Sequence, residues 1–326
     1  MSKPETLARP DSGMTASPTA RTSNVGRAAL WMALALCMFS MVAITGREAG
    51  SALAAAAGNA SPDFIDTLHI MLVRGLVGLV LVLAVIVASP RGLRVIELSR
   101  IRLHAGRNGV HYLAQFCWFH ALGLITLSQL FALEFTSPLW VALFAWALLG
   151  ERFTALRGMA VVCGFIGMLV VVQPQTMSIS LGSAFALTAA IGFALSMIAT
   201  KRLIANEDTL CILFHMSWMQ LAVSALLVAP VFEIPTTNAL LWMIGVGVTS
   251  TGAHFALANA FREADAMIVA PMDFLRLPLI AAIGVLVYGE AIAPEVAIGA
   301  TLILLANVLN LWGQSRIEKT VKPAKT

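Results

Sequence analysis

Four charged side chains stand where charge is costly. Arg74, Glu134, Asp273 and Arg276 each lie inside a long apolar run. A charge at the centre of a bilayer costs about 2.5–3.5 kcal/mol on insertion scales. Residues placed there need partners or a wet cavity. The chemistry open to them is binding of a charged or zwitterionic solute, or carriage of a proton. Asp273 and Arg276 are three residues apart, so on one helix they share a face and can pair. Glu134 has no basic residue near it in its own run, which makes Arg74 the expected partner and would give each half one ion pair. The alternative is that such pairs only orient a helix bundle, or that Arg74 snorkels to an interface.

A second group of polar and aromatic residues recurs at helical spacing: His111, Tyr112, Gln115 and Trp118, with His254 in the place of Gln115 in a later segment. Trp and Tyr stack on planar ligands, while Gln and His supply directed hydrogen bonds. The set suits an aromatic heterocycle or an amino acid, and it equally suits hydrogen bonding between helices. His111 falls near a helix end, where a headgroup role competes. Pro271 and Pro278 flank the Asp273–Arg276 pair, and Pro138 follows Glu134 by four residues. Proline frees a carbonyl and permits a kink, so the helix carrying Asp273 is expected to bend near that pair. Gly150-Glu151 and Gly289-Glu290 read as helix C-caps with a hinge role, and Gly158, Gly164 and Gly167 as close-packing positions.

The elements that must position these groups follow from composition. Hydrophobic residues make up 59% of the 326 and charged residues 12%, against about 25% charged in a soluble domain. Apolar runs long enough to cross a bilayer fall near 28–46, 68–89, 108–126, 129–149, 155–172, 180–200, 209–230, 239–258, 267–288 and 295–313, with a tight turn near Thr126–Ser128 dividing two of them. Residues 1–27 are expected to be a disordered cytoplasmic tail and 315–326 a basic one. The Lys and Arg residues outside the spans fall on one side except Arg47, which places both termini in the cytoplasm of a bacterial inner-membrane, multi-pass protein. The loop holding Arg91, Arg94, Arg100, Arg102 and Arg107 can touch anionic lipid; a nucleic-acid role is not expected. Cys37, Cys117, Cys163 and Cys211 lie in apolar segments without a CxxC and read as packing residues, not as disulfides or metal ligands. No metal and no cofactor is expected.

The chain also repeats itself. A shift of 139 residues sets Glu134-Phe135 on Asp273-Phe274 and Gly150-Glu151 on Gly289-Glu290 without a gap. With other shifts, Ser40-Met41 matches Ser196-Met197, and His69 with Arg74 matches His215 with Gln220. The unit is five spans, an odd number, so the second copy enters the membrane inverted. The expected fold is all-α and integral to the membrane: ten transmembrane helices as two inverted five-helix repeats, over 28–173 and 178–314. Inverted repeats recur in secondary transporters, with the solute site near the midplane between the halves.

Several stretches together resemble the drug/metabolite transporter superfamily in its EamA-type branch. They are Phe135-Thr136-Ser137-Pro138-Leu139-Trp140, Leu149-Gly150-Glu151-Arg152, Gly164-Phe165-Ile166-Gly167-Met168, Ala264-Asp265-Ala266, Ala270-Pro271-Met272-Asp273-Phe274 and Gly289-Glu290. The resemblance implies a central cavity lined by helices 1, 3, 4, 6, 8 and 9, with 5 and 10 peripheral. It implies a secondary transporter of a small polar or aromatic metabolite (an amino acid, vitamin or nucleoside-like compound) working by alternating access, with export of metabolites or drugs favoured. Uptake of riboflavin or S-adenosylmethionine is the alternative, since Ala270–Arg276 is similar to those carriers. The partners expected are the small-molecule substrate and membrane lipid; a homodimer is left open. No Walker A, HExxH or GxSxG pattern occurs, which argues against a pump and against a membrane-embedded enzyme on a lipid-linked substrate.

Overall fold

In the structure, a computed structural model, residues 24–149, 155–172, 180–204, 206–263 and 272–321 are described. Residues 1–23 of the expected N-terminal tail, Gly150, Pro271 and the last five residues lie outside them, while Asn24 caps α1 and Val25–Arg27 already belong to it. The helices are α1 (Val25–Ala56), α2 (Phe64–Ala88), α3 (Ile101–Leu122), α4 (Leu127–Glu134), α5 (Ser137–Leu149), α6 (Ala155–Val172), α7 (Leu181–Ile204), α8 (Thr209–Val228), α9 (Thr237–Glu263), α10 (Arg276–Tyr288) and α11 (Pro294–Val321). The chain folds as ten helical spans, the fourth being α4 and α5 in series.

Local signals explain several boundaries. Asp63 and Asp66 close a reciprocal capping box at the start of α2, and Asp208 caps α8 through the Leu210 amide. Thr126 caps α4, so the turn between the third and fourth spans lies where the sequence required one. Gly289, at φ +62, ends α10 in the left-handed conformation while Glu290 N–H reaches back to Gly284 O; Schellman geometry of this kind favours glycine. One boundary departs from hydropathy. α1 continues past Arg47 and Glu48 to Ala56, because Arg47 pairs with Glu290 and Glu48 accepts from Tyr288.

The packing obeys the repeat. The first span packs on the eighth as the third packs on the sixth (α1 on α9, α3 on α7), and exchanging the halves converts one interface into the other. The second pairs with the seventh (α2 on α8) and the fifth with the tenth (α6 on α11), interfaces that map onto themselves. A pseudo-two-fold axis must run through these self-paired contacts, and repeat counterparts meet there. Phe135 and Phe274 rings are 5.7 Å apart, Cys163 Sγ lies 3.8 Å from Leu302 O, and Arg74 bonds to Gln220. Where α6 crosses α11, a Cβ on Gly167 would come within 2.8 Å of Gly299 O, so the two backbones touch as small-residue membrane crossings do.

The buried centre is α4, where Leu127, Leu130, Phe131, Ala132 and Leu133 are fully enclosed. The periphery is apolar: Leu286, Leu226 and Leu30 are among the large exposed side chains, as suits a lipid-facing surface.

Candidate substrate site

The fourth and ninth spans are broken at equivalent points. Non-helical turns at Phe135–Thr136 and Phe274–Leu275 separate α4 from α5 and Met272–Asp273 from α10. The helix is therefore interrupted beside Asp273, at the place of the expected bend, and again beside Glu134. Both acids stand at the breaks, close to the axis. One guanidinium serves both: Arg276 Nη2 lies 3.1 Å from Glu134 Oε1 and 3.0 Å from Asp273 Oδ2. Trp118 Nε1 donates to the other Glu134 oxygen at 2.7 Å. The guanidinium also makes cation–π contacts with Phe39, Phe135 and Phe131, at 4.9, 5.3 and 5.4 Å from the ring centroids. Within this group Asp273 Oδ1 and Arg276 Nε are buried without a hydrogen-bond partner among the described residues.

This corrects one expectation. The basic partner of Glu134 is Arg276, not Arg74, and the halves do not carry one ion pair each. Because Glu134 and Asp273 are repeat counterparts beside the axis, the arginine that pairs with one acid inside its own span also reaches the other. If all three ionise, the group carries a net charge of −1, from two carboxylates and one guanidinium.

Arg74 occupies a second polar centre. It is nearly fully buried and does not snorkel. It donates to Gln115 Oε1, to Gln220 Oε1 and to Ser250 Oγ, the last at 3.1 Å. Gln220 Nε2 in turn donates to His111 Nδ1 at 2.9 Å. His111 is thus an interior group, not a headgroup ligand. His254 Nδ1 bonds to Ser250 O at 2.8 Å, its ring 6.3 Å from that of His111. Ser224 donates to the Tyr112 hydroxyl at 3.0 Å. Among the described residues Arg74 has no carboxylate partner; amide and hydroxyl oxygens take its protons. The two centres are joined through Phe39, whose ring lies 5.4 Å from His254 and 4.9 Å from the Arg276 guanidinium.

The polar stripe of α3 therefore spans both centres, with His111 and Gln115 in one and Trp118 in the other. Phe39, Phe131, Gln220 and Ser250 do not stand out as site residues by type or spacing. Gln220 carries a signal, as the repeat counterpart of Arg74, and Phe39 adjoins the repeated Ser40-Met41. Pro138 and Pro278 lie just beyond the two breaks, at the second position of α5 and the third of α10.

At the end of the bundle where α1 stops, a further network ties three segments together. Arg47 donates to the carbonyls of Leu122 (3.0 Å) and Ile125 (2.7 Å) and pairs with Glu290. Glu290 Oε2 accepts from Leu127 N–H at 2.9 Å. Tyr288 donates to Glu48 at 3.0 Å while its ring lies 5.0 Å from the Arg47 guanidinium. A cavity of about 620 Å³ opens beside this network, lined by Arg47, Ser51, Pro62, Thr126, Gln129 and Glu290 among others. None of Arg74, Glu134, Asp273 and Arg276 lines it.

Comparison with known proteins agrees with this architecture. The EamA-like transporter family matches twice, over residues 26–173 and 180–312. A riboflavin transporter of Rhizobium johnstonii is 31% identical over 213 residues, 64% of this chain and 68% of that protein. An S-adenosylmethionine uptake transporter of Rickettsia prowazekii is 24% identical over 225 residues, 69% of this chain and 76% of its own. A riboflavin transporter of Brucella anthropi is 28% identical over 250 residues, 75% and 87% of the two chains. A solved crystal structure superposes with a TM-score of 0.58 at 21% identity, covering 90% of this chain and 99% of the other, a likeness of fold. Two matches that together span most of the chain, on a duplicated bundle broken symmetrically at its two central acids, place this protein in the EamA-like transporter family.

Proposed function

We propose that the protein is a secondary carrier that takes up a planar heterocyclic metabolite of the riboflavin or S-adenosylmethionine kind by alternating access. One observation carries the reading: Glu134 and Asp273, counterparts in the two halves, share Arg276 inside a cage of Phe39, Phe131, Phe135 and Trp118. Aromatic faces suit a flat ring, and the surplus carboxylate suits a cationic group or a proton. The relatives add support, being named for riboflavin transport and S-adenosylmethionine uptake; the inward direction follows the latter name.

In this reading Asp273, Glu134 and Arg276 bind the solute's charged part or carry a coupling proton. Gln115, His111, Tyr112, His254 and Arg74 form the polar wall beyond Phe39. The breaks beside Pro138 and Pro278 are the flexing points. The protein lies in the inner membrane with both termini cytoplasmic, as the placement of its basic residues favours. The Arg47–Glu290 network then closes the outer face.

Proteoliposomes loaded with buffer and given labelled riboflavin or S-adenosylmethionine test this. Saturable uptake of one of them, lost in Asp273→Asn and in Glu134→Gln, is the expected result. Uptake of neither by folded wild-type protein, or uptake unaltered in both variants, overturns the reading.

A further inference from the structure

At the end of the bundle opposite Arg47, a cluster unconnected with the solute site joins the turn before α3, α3 itself and α8. His104, Cys211 and His215 are buried, and ligand-capable atoms of all three lie within 4.8 Å of one another. Glu207 belongs to the same cluster. His104 Nε2 donates to Glu207 Oε2 at 2.6 Å, and Cys211 Sγ approaches that oxygen at 3.4 Å. The His104 and His215 rings face each other at 4.2 Å. The side chains of His104 and Glu207 are 0% and 1% exposed. Yet among the described residues His104 Nδ1 and Glu207 Oε1 have no hydrogen-bond partner, although buried polar atoms in proteins are nearly always satisfied. The nitrogen turned toward Glu207 and Cys211 is Nε2, so His104 ligates in the other tautomer, its Nε2 proton passing to the unpartnered Nδ1.

We propose that His104, Glu207, Cys211 and His215 bind one divalent transition-metal ion, Zn²⁺ being the best match. Two imidazoles, a thiolate and a carboxylate form a four-donor set of the kind that closes tetrahedral zinc sites. Nitrogen and sulfur donors disfavour Mg²⁺ and Ca²⁺. Thiolate and carboxylate together neutralise the ion's two charges, so the filled site is uncharged in a buried setting. The Cys211 thiol proton leaves to solvent on binding. Tetrahedral zinc places its donors roughly 3.4–3.8 Å apart, so His104, Cys211 and His215 draw together by about 1 Å, and Glu207, which touches His104 and Cys211, moves in toward His215. His215 must also exchange one bond, since Trp218 donates to its Nδ1 at 2.9 Å and its Nε2 donates to Glu97 O at 2.8 Å. Cys211 is then a ligand rather than the packing residue its apolar sequence context suggests. The ion would staple the first half (α3 and the Glu97 turn) to the second (Glu207 and α8).

The test uses the full chain, purified in detergent on a tag without histidines and stripped with a chelator. After loading with Zn²⁺ and desalting, about one Zn²⁺ per chain is expected by elemental analysis. Co²⁺ in place of Zn²⁺ should give a thiolate charge-transfer band, absent in Cys211→Ser. Zn²⁺ should raise the melting temperature of wild type but not of Cys211→Ser or His104→Gln, whose affinity should fall at least about tenfold. Wild type that retains no Zn²⁺, or a Co²⁺ spectrum without the thiolate band, overturns the proposal. Both of these readouts come from wild-type protein, so they hold even where a variant misfolds.

Discussion

Arg74 and Gln220 are separated by 146 residues, yet the guanidinium of one donates directly to the amide oxygen of the other. The same shift of 146 aligns the two positions in the internal repeat. Their contact marks the axis that relates the halves, in the way the edge-to-face Phe135–Phe274 contact does beside the acids.

Removing the shared arginine should be costly. Arg276→Met leaves two neighbouring carboxylates without their cation, Glu134 keeping only its Trp118 hydrogen bond, and breaking a buried charge pair costs up to about 3–5 kcal/mol. The melting temperature in detergent should fall clearly, and Glu134→Gln added to Arg276→Met should restore part of it. An additive further loss in the double variant would argue against the shared pairing.

The Arg47–Glu290 network predicts a measurable latch. Hydrogen bonds to charged groups contribute about 1.5–3 kcal/mol, so Glu290→Gln should raise the open fraction of that face by roughly tenfold or more. An Ala49→Cys reporter, buried while the network is closed, in a background without the native cysteines, should react correspondingly faster with a membrane-impermeant maleimide. Equal rates with and without Glu290 would remove the latch from the mechanism.

The crossing of α6 and α11 predicts a steric effect with a built-in control. Gly167→Ala would press a methyl group against the Gly299 carbonyl at 2.8 Å, and overpacking of this kind costs about 1–3 kcal/mol. Gly252→Ala would meet the Met38 sulfur at 3.5 Å, an ordinary contact with a flexible side chain. The first variant should lower the melting temperature and the second should leave it near wild type.

Trp118→Phe separates recognition from folding. It keeps the ring and removes the 2.7 Å bond to Glu134. Losing a hydrogen bond to a charged group costs about 1.5–3 kcal/mol, so melting should fall while enough folded protein remains to show the KM for uptake rising several-fold. A large loss of folded protein with unchanged KM would assign Trp118 to stability alone.

How much of this is legible in the sequence depends on how local each relation is. Asp273 and Arg276 are readable as a pair because three residues along one helix is a short-range fact. The repeat is readable because Glu134-Phe135 and Asp273-Phe274 share one shift. The partner of Glu134 is not, because it depends on which spans meet at the axis, and helix amphipathicity is faint in a protein whose outer surface is also apolar. The axis is the better guide, since Arg74 meets its own counterpart Gln220. α1 outruns its expected end at residue 46 for a similar reason: Arg47 and Glu48 look like a membrane boundary until Glu290 and Tyr288, some 240 residues away, are placed beside them.

The shared arginine has a consequence for energetics. Shifted by 139 residues, Glu134 finds an acid, but Arg276 finds Ser137, whose hydroxyl donates to Ala190 O at 3.0 Å. The two carboxylates are duplicated and the cation is not. When the halves trade shapes, the guanidinium travels with only one of them, so the inward- and outward-facing forms cannot be mirror images in free energy. The empty carrier therefore has a preferred resting side. That preference sets how long it waits for solute on each face, while the solute and ion gradients still decide which way the net flow runs.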